Sequence, residues 1–289
     1  MYVWVDALTN YITGLGFPDE SGDYARYWPA SLHLIGKDIT RFHTVYWPAF
    51  LMSAGLPVPR HVFSHGFLLN RGQKESKSLG NVTDPMALAE QFGVDTLRYF
   101  LMREVAFGQD GSYSPEAIVL RGNSELGNSF GNLAQRSLSM IAKNFGGQMP
   151  PRQEGSADDA KIVTETITSI ARMQEAMTTE QLHDAAAELV AALSAANLYF
   201  ADQAPWGKKD DLARMGAILA TTADVVRRCA IAAQAFVPAA AAKMLDLLAV
   251  PAAERTLAIA LDPASGIGPQ TQLPPPEPVF RKFEQVKAG

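Results

Sequence analysis

The chain has 289 residues, enough for two domains of ordinary size, and its 47% hydrophobic and 19% charged residues are those of a folded globular protein, which excludes a disordered, collagenous or coiled-coil chain. Lys+Arg 25 against Asp+Glu 30 gives a net charge of -5, so a polyanion must be held by a local patch rather than by the field of the whole molecule. A single cysteine, Cys229, excludes an internal disulfide and a multi-thiolate zinc site.

The opening residues lack the basic stretch and apolar run of a signal peptide, and no run of about 18 apolar residues marks a membrane span, so the expectation is a cytoplasmic protein without structural zinc or membrane partner. Up to about residue 110, β-rich runs at 2–6, 31–35 and 61–67 alternate with helical stretches, the pattern of an α/β unit. Between the second and third runs, Phe42, Val45, Tyr46, Ala49, Phe50 and Ser53 recur at three-and-four spacing and predict a crossing helix over 41–54, kinked at Pro48.

Beyond residue 111 the pattern is helical, opened by the capped start Ser114-Pro115-Glu116. Helices are expected over 158–177, 211–236 and 239–248, with breaks at Pro238 and Pro251. A further helix, carrying the stripe Leu182, Ala186, Leu189, Leu193, Ala196 and Phe200, follows the capping-box pattern Thr178-Thr179-Glu180-Gln181 and ends before Pro205. This predicts an all-α bundle of about five helices, with an extended tail around Pro274-Pro275-Pro276 and Pro278 packing back across it. The expected organisation is an α/β part over 1–112 and a helical part over 113–289.

Two groups of residues carry chemistry. Lys74-Glu75-Ser76-Lys77-Ser78-Leu79-Gly80-Asn81 places two lysines three apart among serines, a cationic loop able to follow a polyphosphate as it moves; taken alone, the same pattern fits a solvated turn. Trp4, Ala7 and Tyr11 share a helical face where a strand is expected to run into a helix, and so do Ile39 and His43; together they suit the wall of an apolar pocket or, equally, a core.

The lysine loop resembles the Lys-Met-Ser-Lys-Ser signature of class I aminoacyl-tRNA synthetases, with Glu75 in the Met position. The blocks YVWVDALTNY (2–11), HLIGKDITRFH (33–43), His65-Gly66-Phe67, NSFGNLAQR (128–136) and NLYFADQAPW (197–206) are similar to the methionyl-tRNA synthetases. The resemblance implies the second half of a Rossmann-like catalytic domain followed by an anticodon-binding helix bundle. It also implies methionine–tRNA ligase activity, with ATP and Mg as the substrate complex. By the same resemblance Lys74 and Lys77 are catalytic, and Lys74, Ser76, Lys77 and Ser78 bind ATP. Trp4, Ala7, Tyr11, Ile39 and His43 bind methionine, and Asn132, Arg136 and Trp206 read the CAU anticodon of the tRNA partner. Lys208 and Lys209, with Arg121 and Lys143 if they share that face, are expected on nearby phosphates.

The chain has no His-x-Gly-His motif, which the family uses to stabilise the transferring phosphate. The resemblance therefore implies the C-terminal portion of such an enzyme, inactive by itself unless a missing N-terminal half is supplied in trans. A non-catalytic tRNA-binding module is the alternative, and a helical interaction protein a third. Glu75 puts a carboxylate among phosphate-binding residues, at a cost set by where it points.

Overall fold

In the computed structural model, which describes all residues except 1–2, 76–82, 107, 153–155 and 285–289, the run expected as a first strand is helical: α1 spans Val3–Thr13. Its period decides this. Leu8 and Ile12 are buried on the face that packs on Tyr24, Trp28, Trp47 and Leu51, a helical repeat that outweighs the β preference of Val3 and Val5.

The chain divides into two units, residues 1–74 with 107–112, and residues 75–106 with 113–289. In the first, α1 is followed by α2 (Gly22–Tyr27) and by β1 (His33–Gly36) and β2 (Val62–His65), which pair in parallel with His33 opposite Val62 and Gly36 opposite His65. The crossover holds a 3-10 turn (Lys37–Ile39), a π-helical turn (Phe42–Tyr46) and α3 (Trp47–Ser53). The predicted single helix over 41–54 is thus two segments of different pitch. Pro48 explains the change, because it has no N–H to donate and its ring crowds the carbonyl four residues back, and a wider turn ahead of it relieves both. A second pair of short strands, β3 (Leu68–Asn70) and β4 (Gly111–Tyr113), follows.

The second unit is helical: α4 (Pro85–Phe92), α5 (Val94–Glu104), α6 (Pro115–Arg121), a π-helical segment (Gly122–Gly131), α7 (Asn132–Phe145), α8 (Ala157–Thr178), α9 (Leu182–Gln203), α10 (Leu212–Ala233), α11 (Pro238–Leu247) and α12 (Leu257–Leu261). Its axis is α10, buried on all sides from Met215 to Ala233. Two arginines inside it are satisfied by a neighbouring carboxylate and by acceptors at and just beyond the end of α12. Arg228 donates to Asp224 at 2.9 Å and to the carbonyls of Ala260, Asp262 and Ser265 at 2.6, 3.0 and 2.7 Å, and Arg227 donates to Asp224 and to Ser265 Oγ.

The capping box expected at 178–181 does not form. The Thr178 and Thr179 hydroxyls donate backwards to carbonyls of α8, at Glu175 and Ala176, and Gln181 starts α9 without a side-chain cap. A capping box sits instead at the start of α8, between Ser156 and Asp159.

The tail runs extended across the bundle. Met149 donates to Thr271 and Leu273 to Gly147, both at 2.9 Å, and further on Phe280 lies against Phe130 and Phe283 against Phe92. Gly131 and Gly122 leave room for these rings: a Cβ at Gly131 would come within 3.0 Å of Phe280, and one at Gly122 within 3.2 Å of Phe283. Asn123 fixes the end of the tail, donating to the Phe283 carbonyl and accepting from its N–H.

Candidate functional site

In the first unit, α1 presents Trp4, Ala7 and Tyr11 along one line, and Ile39 and His43 come from the crossover between the strands. Tyr11 Oη lies 2.9 Å from His43 Nε2, and His43 Nδ1 lies 3.0 Å from the Ile39 carbonyl. These two contacts fix the protons. A carbonyl only accepts, so Nδ1 carries hydrogen, and in the neutral ring Nε2 accepts the Tyr11 hydroxyl proton. Tyr11, His43 and Ile39 therefore form one chain, while Trp4 stacks on Phe42 at 3.9 Å, beside that chain. Ala7 is exposed on the same face of α1.

Three rings around Tyr11 carried no site signal in the sequence. His33 meets Tyr11 edge-on at 4.4 Å, Trp47 lies at 6.2 Å, and Trp28 packs on both. Trp47 follows His43 by one helical turn, a spacing that would have found it; His33 sits on β1, where spacing from α1 says nothing. His33 Nε2 and Trp47 Nε1 are buried without a hydrogen-bond partner among the described residues. Burial, and secondarily the nearby His43, push the His33 pKa down, so its ring is held neutral. Burial raises Tyr11, which keeps its proton.

Of the lysine loop, Ser76, Lys77 and Ser78 lie outside the described residues. Lys74 is exposed, its ammonium 4.6 Å from the Phe67 ring. Glu75 is turned inward: its Oε1 accepts from the Thr83 N–H at 3.1 Å and from the Tyr113 hydroxyl. The Tyr113 bond chiefly draws its pKa below the usual carboxylate range; burial opposes it, and the bonds of Thr83 add to the lowering. The carboxylate thus ties residues 75 and 83, the two ends of the loop, to one tyrosine.

In the second unit, Asn132 and Arg136 lie one turn apart at the start of α7, both exposed. The π-helical segment before α7 sets their rotation about the helix axis. Trp206 stands in the 3-10 turn Pro205–Gly207 after α9, 44% exposed. The Arg136 guanidinium lies 5.2 Å from the Trp206 ring and 5.1 Å from the ring of Phe200. Lys208 and Lys209 follow directly and are exposed, as is Lys143. Arg121 is committed elsewhere, to Glu104 and Glu125 at 2.7 and 2.6 Å, and does not offer a free cation to phosphate.

Residues 1–138 match the family model of class I tRNA synthetases (M), and residues 149–288 that of the anticodon binding domain of methionyl tRNA ligase. The chain belongs to the methionyl-tRNA synthetase family. Methionine–tRNA ligase of Brucella suis biovar 1 (strain 1330) is 56% identical over 99% of this chain and 55% of that protein; the Mycobacterium leprae (strain TN) protein of the same name is 50% identical over 98% and 53%. The solved Mycobacterium tuberculosis methionyl-tRNA synthetase in complex with methionyl-adenylate superposes with a TM-score of 0.91 at 52% identity, covering 97% of this chain and 56% of that one. The chain spans about half the length of the curated relatives it matches. Its fold is accordingly part of a class I synthetase domain followed by a helical anticodon-binding domain.

Proposed function

We propose that this chain contributes the methionine pocket, the lysine loop and the anticodon reader of a methionine–tRNA ligase. In this reading the methionine carboxylate attacks the α-phosphate of ATP, presented with Mg, and releases pyrophosphate; a terminal ribose hydroxyl of tRNA then takes the methionyl group and releases AMP. The observation that carries the reading is the Tyr11–His43–Ile39 chain of hydrogen bonds. It satisfies the polar groups of Tyr11 and His43 within the protein, so an apolar thioether beside them leaves neither unpaired. Trp4, with Ala7 as the gap beside it, completes an aromatic wall suited to a polarizable sulfur.

Lys74 and Lys77 would neutralise charge on the phosphates, helped by Ser76 and Ser78. Asn132, Arg136 and Trp206 would read CAU, by hydrogen bonds to base edges and by stacking, with Lys208 and Lys209 on the backbone.

The activity requires residues that supply His-x-Gly-His, on this polypeptide or another. Two features support a partner segment beside β1 and β2. A parallel sheet is normally covered on both faces, yet Leu34 is 56% exposed, and two parallel strands rarely stand alone. The 289 residues by themselves are expected to show no ATP/pyrophosphate exchange, to bind a CAU stem-loop in preference to a CAC one, and to gain exchange when a polypeptide carrying the motif is added. Trp206→Ala should weaken the CAU complex by about 1–3 kcal/mol. Exchange by the lone chain refutes the incomplete-site reading; equal affinity for the two stem-loops refutes the anticodon reading. Selective binding with no exchange under complementation would favour a tRNA-binding module.

A further inference from the structure

Most arginines of the helical unit spend their donors on acceptors of the protein: Arg214 on Asp159, Arg227 and Arg228 on Asp224, Arg255 on Asp246. Arg136 is held differently. It is exposed on α7, and among the described residues no carboxylate, carbonyl or amide oxygen accepts from it. What holds it is two ring faces. Phe200 and Trp206 stand 5.8 Å apart at 66°, and the guanidinium rests in the corner they make, at nearly equal distance from each.

The two rings differ in access. Trp206 is 44% exposed and can offer a face to a ligand, whereas Phe200 is 1% exposed and cannot touch one. Phe200 is nonetheless on the helix stripe that packs the bundle, so its position is fixed by the core. A flexible arginine would lose much of its rotamer freedom on binding a base; one already held between a fixed ring and Trp206 has lost part of it beforehand.

We infer that Phe200 is a positioning residue for nucleobase recognition: its buried face holds the Arg136 guanidinium in the corner with Trp206, so that an unstacked base of single-stranded RNA meets a preset plane and a preset row of donors. This rests on the anticodon reading above, and the test separates the two.

Phe200→Leu keeps an apolar side chain in the core and removes the ring face. In the purified chain the Arg136 δ-methylene protons should show ring-current shifts that the exposed Arg172 lacks, a comparison that needs no variant, and Phe200→Leu should move them toward ordinary values. Affinity for a CAU stem-loop should fall about 3–10-fold in Phe200→Leu and in Arg136→Lys, which keeps the charge but not the plane. In an Arg136→Ala background, Phe200→Leu should add less than about twofold, since the group it positions is gone.

Unshifted Arg136 protons in the unaltered chain overturn the inference, and so does an equal loss from Phe200→Leu with and without Arg136, which would mark a general effect of the core. A chain that binds CAU and CAC stem-loops alike, yet shows the Phe200-dependent shift and the coupling, defeats the anticodon reading and supports the positioning of Arg136.

Discussion

On the proposed function, the two clusters solve opposite recognition problems with similar parts. Around Tyr11 the polar groups are turned on one another, hydroxyl to imidazole and imidazole to carbonyl. At Arg136 the donors meet no acceptor among the described residues, and two aromatic rings bracket the guanidinium. On the proposed reading, the wall that meets an apolar side chain has its hydroxyl and imidazole paired, whereas the reader of base edges holds unpaired groups still. The same contrast predicts where each cluster is fragile.

The largest effect should come from opening the closed cluster. Tyr11→Phe leaves the buried Nε2 of His43 without its partner and should destabilise the first unit by about 1–3 kcal/mol, read as a shift of its unfolding transition. No shift would mean that the chain of hydrogen bonds is dispensable and the contrast unfounded.

Acid sharpens the difference next. Folded His33 resists protonation because it is buried and near His43, whereas the unfolded chain takes up that proton below about pH 6.5. The stabilisation is therefore full above that pH and declines as pH falls through it, at most about 1.4 kcal/mol per unit. In the helical unit, burial raises the Asp159 pKa, but the donors of Arg214 and Tyr199 outweigh it and the net shift is downward. That contribution is present above the ordinary carboxylate range and lost only below it. Between pH 7 and 5 the first unit should weaken before the second. Tryptophan fluorescence reports this directly, since Trp4, Trp28 and Trp47 lie in the first unit and Trp206 in the second.

A smaller effect is expected at the loop ends. Glu75→Met removes the acceptor shared by Tyr113 and Thr83 and should cost about 1 kcal/mol locally, seen as faster amide exchange at Thr83. The smallest is at the open cluster: Arg136→Ala breaks no hydrogen bond among the described residues and should change stability by less than about 0.5 kcal/mol while weakening RNA binding. A large loss of stability there would make Arg136 part of the scaffold.

Much of this was legible in the sequence where one periodicity governs one element. The stripe from Leu182 to Phe200 and the helix over 158–177 that became α8 follow from spacing, and the β-rich runs at 31–35 and 61–67 hold β1 and β2. What failed was local preference without its partner. Val3 and Val5 favour a strand but pack no ladder, and Thr178 and Thr179 resemble caps but bond the helix behind them. The site was legible residue by residue through resemblance, yet its contacts were not. His33 and Phe200 join their clusters across the fold, and no spacing along the chain measures that distance. The inward turn of Glu75 was equally hidden, because its partners are 8 and 38 residues away.

The burial of Arg228 also sets an order of events during synthesis. The carbonyls that receive its guanidinium lie 32 to 37 residues further along the chain, at Ala260, Asp262 and Ser265. At translation speeds of about 5–20 residues per second, the ribosome needs about 2–7 seconds to make that stretch after adding Arg228. Until those residues emerge, Asp224 is the chief acceptor for two arginines, and sealing α10 would strand their remaining donors away from water. The bundle is thus built to close late, when its last short helix arrives, and a nascent chain stalled before residue 260 should keep α10 open to proteases and chaperones.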